Sequence, residues 1–507
     1  MKYTLLMTLL APALLAGCNL EKKEEPFQAR HIRAGYHAGQ VCQQLRQGWQ
    51  EDGIAIPASQ VSCHYLTVPL DYDKEWVQIK ETKWEKRSAA RADSSLFADN
   101  SPRFSSWSDK PVRPHVKQET RTVKGDPLDI FYLHYRASGD YRGTLFYNPG
   151  GPTSATPDLG LLLDLLRSAN PAILEHYDIV TLDPRGAGYS ALGHELRSCL
   201  LTDKQGVRPD MTPAQLAQLF ASRDKGALPV LQSGADQGKA FSTTLLERCD
   251  EPLRLHAPHL GSRAVVEDME RLRQHLGRER ITPITFSYGT RLAALYAARY
   301  PSHVANLVVD SPMSPAESRY PAIFRGDAEN ANRILTWRFG DQALQRSMAV
   351  TRQVRDNGHY LDNQGNVLDR DHWEAVMSDA ISGSQRDDQL AFWQQDDAGA
   401  LLLANSFNTC ADWPYPRQPI ASYGAGEIKL PDDAKALVLG AEYDPNTPFA
   451  GARQMQAAFG SAARLVQVAQ SNQHGQLNSS RCAQAALSTL LLGEAASLPA
   501  EQRCQAD

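Results

Sequence analysis

Large patches of one charge are missing from this sequence. Over 507 residues the formal net charge is only −5, which gives no basic footprint for nucleic acid and no strong acidic signal. No CxxC pair and no cysteine–histidine ligand spacing is present, so no metal and no cofactor is implied. There is no visible internal repeat and no transmembrane segment. The apolar run LLMTLLAPALLAGC near the N-terminus is too short and too early to span a bilayer. What remains is an ordinary soluble balance, 42% hydrophobic and 22% charged. The length suits one large domain with insertions, or two domains. Function therefore has to come from local motifs.

The early apolar run reads as an export signal over residues 1–17. Its tail, LLAGC, resembles the lipobox of bacterial lipoproteins, which makes Cys18 the lipidated first mature residue. The alternative is an ordinary signal peptide with Cys18 incidental. Residues 18–40, with NLEKKEEP directly after Cys18, read as a polar tether. Asn19, in place of an aspartate, resembles an outer-membrane sorting signal. The expectation is an exported lipoprotein anchored through Cys18, facing the periplasm or the cell surface.

Export permits disulfides. Beyond Cys18 the cysteines are Cys42, Cys63, Cys199, Cys249, Cys410, Cys482 and Cys504. Proximity in sequence pairs Cys42 with Cys63, Cys199 with Cys249 and Cys482 with Cys504, and leaves Cys410 odd. Spacing alone does not prove that connectivity.

QVSCHYLTVPLDY and the alternating WVQIKETKW have strand patterns. Residues 86–122 are rich in Ser, Arg, Asp, Lys and Pro and poor in aliphatics, and read as a mobile insertion or surface excursion. LDIFYLHYRA and GTLFYNPGGP resume the strand pattern. From there short apolar strands alternate with helices: YDIVTLD, ITPITFS, NLVVD, ALVLGA and ARLVQVA between LGLLLDLLRSA, AVVEDMERLRQHLG and TRLAALYAARY. That rhythm means an α/β fold, a mostly parallel sheet with helices on both faces. It is lost over residues 313–430, a largely helical stretch read as a cap inserted between strands. The core is expected over 41–312 and again over 431–507.

In open parallel sheets chemistry collects at the carboxyl ends of strands. Four such ends are reactive or glycine-rich here: NPGGP, Ser287 in TFSYGT, Asp444 in GAEYDPNTP and His474 in SNQHGQ. A serine hydroxyl is a weak nucleophile. It needs a histidine to take its proton and a carboxylate to hold and stabilise that imidazole. The developing oxyanion needs aligned N–H donors. Gly151, with Gly150 as the alternative, supplies one, and the amide of Tyr288 supplies the other. Each residue alone has a plainer reading. Ser287 is a fitting helix N-cap, His474 is one of 14 histidines, and Asp444 is a fitting turn residue before Pro445. Asp310, after NLVV, is a rival acid. The chain order Ser…Asp…His is that of α/β-hydrolases, and it favours Ser287, Asp444 and His474 acting together.

Those motifs, with CHYLTVPLDY near the front and DIVTLDPRGAGYS in the middle, resemble the prolyl and tripeptidyl aminopeptidase-like branch of the α/β-hydrolases, in its exported form. The resemblance covers residues 40–75 and 125–504. It implies an α/β-hydrolase fold and a serine peptidase with Ser287 as nucleophile and Asp444 and His474 as partners. It also implies a cap that restricts substrates to free peptide N-termini. Thr447 matches a family threonine that bonds the acid loop; otherwise it is an N-cap before Pro448. Two departures stand out: Thr285 and Thr153 replace usual glycines. A β-branched residue does not suit φ > 0, so any backbone strain must fall on Ser287 and not on Thr285. Asp183 and Arg185 read as a buried pair bracing their loop, with substrate binding as the alternative. Glu317, Asp327, Glu329 and Asp412 are carboxylates available to a substrate ammonium. The expected activity is release of residues or short peptides, tripeptides and proline-containing ones included, through an acyl-enzyme. The alternatives are an esterase or lactonase with the same triad, and an inactive surface-anchored binding protein. Oligomeric state is left open.

Overall fold

The computed structural model describes residues 31–84 (save 55, 74 and 75), 116–193 (save 125, 152 and 153), 196, 256–316, 330, 333–340, scattered positions from 341 to 369, and 420–507. Cys18, the export signal, Thr153, Cys199, Cys249, Glu317, Asp327, Glu329, Cys410 and Asp412 lie outside the described residues.

Helix α1 (Ala38–Glu51) buries Val41, Cys42, Leu45 and Trp49 at helical spacing. Then come β1 (Val61–Pro69), β2 (Trp76–Trp84), β3 (Val116–Lys124), β4 (Pro127–Tyr135) and β5 (Gly143–Asn148). Helices α2 (Leu159–Ala169) and α3 (Ala172–His176) lead to β6 (Tyr177–Leu182). Next are α4 (Ser262–His275), β7 (Thr282–Phe286), α5 (Tyr288–Arg299) and β8 (Leu307–Asp310). A short hairpin, β9 (His359–Leu361) with β10 (Val367–Asp369), falls in the inserted segment. The chain closes with β11 (Ala436–Ala441), α6 (Phe449–Phe459), β12 (Ala463–Ala469), α7 (Arg481–Leu492) and β13 (Glu501–Gln505).

Nine strands form one sheet in the order β1-β4-β6-β5-β7-β8-β11-β12-β13. β1, β4 and β6 pair antiparallel; from β6 onward every pairing is parallel. Side chains alternate across the sheet, so β4 sends Phe131, Leu133 and Tyr135 to one core and Leu128, Ile130 and Tyr132 to the other. The first core is closed by α1, α2, α3 and α7, the second by α4, α5 and α6. The sheet is therefore covered on both faces, as its near-continuous apolar strands require.

Parallel register lines up the strand ends. Asn148 sits opposite Thr285, Phe286 opposite Asp310, and Asp310 opposite Leu439. The residues that follow these positions therefore emerge along one edge.

Three expectations need correction. The tether cannot run to residue 40. The Ile32 N–H donates to the Pro127 carbonyl (2.7 Å), the Asp129 N–H donates to the Ile32 carbonyl (3.1 Å), and Ala34 is buried. Backbone pairing along the start of β4 fixes that segment to the body. The excursion at 86–122 ends in strand, since β3 pairs antiparallel with β2 as a ribbon apart from the main sheet. Its polar sequence hid a strand whose pairing is with β2 alone among the described strands. Within 313–430 the described pieces include the β9–β10 hairpin besides helix over 333–339, so the segment is not helical throughout.

Candidate active site

β7 runs straight into α5, and the turn between them is Ser287. Its φ is +52° and ψ −125°, a conformation that non-glycine residues rarely hold. The turn is held from outside: the Ser287 N–H donates to the Asp310 carbonyl (3.1 Å), and the Ser287 carbonyl accepts the Thr290 hydroxyl (2.6 Å). Although Ser287 occupies the N-cap position of α5, its side chain makes no capping bond. The plainer reading as an N-cap therefore does not describe its hydroxyl. Thr285 lies within β7, fully buried, and its hydroxyl donates to the Val308 carbonyl of β8 (3.1 Å). The strain falls on Ser287, and the strand tolerates threonine because its hydroxyl finds a neighbouring carbonyl.

The glycine turn after β5 presses against this elbow. Gly150 and Gly151 have φ of +104° and +105°. A Cβ on Gly150 would lie 2.6 Å from the Phe286 carbonyl oxygen and 2.9 Å from the Ser287 Cβ, so only glycine fits. The Gly150 N–H is already committed to the Asn148 side-chain oxygen (2.9 Å). Gly151 is exposed, and its N–H has no partner among the described hydrogen bonds. That division favours Gly151 over Gly150 as an anion donor. Asn148 went unnoticed in the sequence; an asparagine closing a strand before a glycine turn was the available signal.

Asp444 is wholly buried at the loop after β11. Its Oδ1 accepts the N–H groups of Asn446 and Thr447 (2.9 Å each), and its Oδ2 accepts the Thr447 hydroxyl (3.0 Å). Thr447 is thus part of the acid loop; the N-cap of α6 is Pro448. His474, after β12, donates from Nδ1 to both Asp444 oxygens at 3.0 Å. Burial pulls the imidazole pKa down. The hydrogen bond and charge of Asp444, with the charge of Asp310 added, outweigh that and leave it raised above 6.5. A cavity of about 540 Å³ beside the site is lined by His474, Phe286, Tyr147, Pro149, Asp158 and Leu477, among others.

Among the described hydrogen bonds Asp310 makes none to the imidazole. Its carboxylate accepts the N–H groups of Gln476 and Leu477, and burial pushes it up to about 6. Asp183 and Arg185 are both buried but have separate partners, which corrects their reading as a pair. Asp183 gathers the N–H groups of Ala155, Thr156 and Tyr189, while Arg185 is held by Asp268 (2.6 and 2.8 Å) and by the Leu70 and Pro69 carbonyls. Asp183 thereby anchors the chain that leaves the glycine turn, and Arg185 ties the next loop to α4.

The inserted segment reaches this edge. Trp337 stacks on Tyr443, one residue before Asp444, with centroids 4.2 Å apart, and its indole N–H donates to Gln470 (2.8 Å). Arg291 of α5 donates to the carbonyls of Ser314 and Ala421, near the two ends of the segment.

The cysteines form two disulfides among the described residues, Cys42–Cys63 and Cys482–Cys504.

Comparison with known proteins agrees with this architecture. A family model described as the alpha/beta hydrolase fold matches residues 143–479. The chain is 26% identical over 192 residues to serine protease Hip1 of Mycobacterium tuberculosis, covering 38% of this chain and 33% of that one. It is 29% identical over 204 residues to a tripeptidyl aminopeptidase of Streptomyces coelicolor, covering 39% and 33%. It is 30% identical over 195 residues to carboxylesterase B of Mycobacterium tuberculosis, covering 38% and 34%. The chain thus spans about a third of the length of the curated relatives it matches.

Proposed function

This chain belongs to the α/β-hydrolase fold family, and from that premise we propose that it is a serine peptidase acting on peptides with free N-termini. The observation that carries the reading is the hydrogen-bonded Asp444–His474 pair, together with a serine held at positive φ on the strand-to-helix turn. In the proposed reaction the Ser287 hydroxyl oxygen attacks the scissile carbonyl carbon while its proton passes to His474 Nε2. Asp444 keeps Nδ1 protonated and stabilises the imidazolium. The N–H groups of Gly151 and Tyr288 receive the oxyanion. Collapse breaks the C–N bond, and His474 returns the proton to the leaving amine. Water then attacks the acyl-enzyme, giving its proton to His474, which passes it to the Ser287 oxygen as the acyl C–O bond breaks. Two named relatives, a serine protease and a tripeptidyl aminopeptidase, support peptide bonds as the substrate class.

The segment 313–430 is proposed as a cap limiting access to the site. Its stacking on Tyr443 and its roots on Arg291 support that role. Lipid anchoring at Cys18 is likewise proposed, from the lipobox-like LLAGC and the two disulfides. Palmitate incorporation that persists in Cys18→Ser would overturn it.

A second reading is an esterase, favoured by the match to carboxylesterase B. A fluorophosphonate is expected to label the wild type and not Ser287→Ala; an unlabelled, folded wild type leaves the binding-protein reading standing. A panel of dipeptide and tripeptide chromophores, free and blocked at the N-terminus, set against short acyl esters, separates the rest. Cleavage indifferent to blocking would remove the aminopeptidase claim.

A further inference from the structure

Three successive backbone N–H groups follow His474, and residues 310 and 311 hold all of them. The Gly475 N–H donates to the Ser311 hydroxyl, the Gln476 N–H to Asp310 Oδ1, and the Leu477 N–H to Asp310 Oδ2, each at 2.8 Å. The Asp310 main-chain carbonyl accepts the Ser287 N–H (3.1 Å). One residue thus grips the nucleophile turn with its backbone and the histidine loop with its side chain. Asp310 is fully buried, and among the described residues no Lys or Arg bonds its carboxylate. A carboxylate buried without a cation is costly, and a purely structural loop tie has cheaper solutions.

We propose that Asp310 is a positioning residue for His474, setting the imidazole against Ser287 and adding a second negative charge beside it. This rests on the triad reading above. The loop contacts explain the position. Gly475 has φ of +92°, and a short 3₁₀ turn spans Gln476–Asn478, so the loop has little regular structure to fix it. Both oxygens of Asp310 cap that turn, and Ser311 secures the residue before it. The titratable groups that face Asp310 are His474 and Asp444; Ser311 and Gln476 contribute neutral dipoles. Its charge raises the His474 pKa together with that of Asp444.

The experiment measures the second-order rate of fluorophosphonate inactivation against pH, which needs no peptide substrate. Asp310→Asn keeps one acceptor but turns an amide donor toward the other N–H. The rate at neutral pH is expected to fall by about 10- to 100-fold, the scale of a small misplacement of a reacting group. With the second charge gone, His474 ionises at lower pH, so the acid limb is expected to move to lower pH. Ser311→Ala removes one loop bond and no charge; it is expected to slow the reaction less and leave the acid limb in place. A folded Asp310→Asn protein with unchanged rate, or with a slower rate and an unmoved acid limb, overturns the proposal. Should that variant not fold, a charge-conserving variant carries the test. Asp310→Glu keeps the charge and shifts the carboxylate by one methylene, so it is expected to slow the reaction with the acid limb little moved, and an unchanged rate overturns the proposal. A wild type that does not react overturns this proposal and the triad together; a reactive wild type with an indifferent Asp310→Asn overturns this one alone.

Discussion

Ser287 and Thr285 divide one difficulty between them. The turn needs a positive φ, and the serine takes it at +52° while the threonine two residues earlier stays in extended strand. The usual glycine at that earlier position is dispensable here because the threonine hydroxyl reaches the Val308 carbonyl. At His474 the sign of the pKa shift sets a pH profile. In the proposed reaction the imidazole must be neutral to accept the serine proton; burial pulls its pKa down, and Asp444 and Asp310 raise it beyond that pull. The acid limb of kcat/KM is therefore expected above pH 6.5, with activity lost as pH falls through it. Asp444→Asn removes the larger raising influence. Its residual activity is expected about 10⁴-fold lower, with the limb moved toward lower pH. Stopped-flow rates across pH check both; a limb at or below 6.5 in the wild type contradicts the geometry described. Asp310 carries the opposite stability linkage to a salt-bridged acid. Folding raises it from 3.8 to about 6, so its contribution is full below 3.8 and lost as pH rises through about 6. At neutral pH its ionised form is a cost to the fold, which a positioning role accounts for.

At the scale of elements, the loop after β6 shows how burial and pairing combine. Arg185 and Asp268 are both fully buried, and Asp268 also accepts the Tyr72 hydroxyl (2.7 Å). Removing one partner strands the other charge in the interior. Asp268→Ala is expected to lower unfolding stability by about 3–5 kcal/mol in urea titration, while a surface pair such as Arg263–Asp73 contributes less than about 1. A loss under about 1 kcal/mol in the buried variant would contradict this. Most core elements were legible in the sequence because apolar residues recur with strand or helix period. YDIVTL and ALVLGA are β6 and β11, both buried along their whole length. β3 was not legible: its sequence VKQETRTVK is strongly polar, and strand pairing there depends on β2. β13, with EQRCQ, is an exposed edge whose register comes only from β12. The division of labour between Asp183 and Arg185 was also hidden, since their partners lie far away in sequence at Thr156 and Asp268.

Over the whole molecule, the two disulfides occupy opposite margins of the sheet. Cys42–Cys63 ties α1 to the edge strand β1, and Cys482–Cys504 ties α7 to the edge strand β13. Each closes a short loop, with sequence separations of 21 and 22 residues, worth about 3 kcal/mol apiece by loop entropy. Reductant is therefore expected to lower the midpoint of thermal unfolding, and a midpoint indifferent to reductant would contradict a structural role. Among the described residues no helix is long and apolar enough to cross a membrane. The sequence by itself determined the fold class, the order Ser287, Asp444, His474 and their places after strands, because periodicity and turn residues are local properties of the chain. It also determined that any strain must fall on Ser287, since threonine resists positive φ. Only the tertiary structure shows that Asp444 and not Asp310 bonds the His474 imidazole, and that the Gly150 N–H is taken by Asn148. Those choices depend on which hydrogen bonds are already taken, and the partners taking them come from strands far apart in sequence that meet only when parallel register aligns their ends.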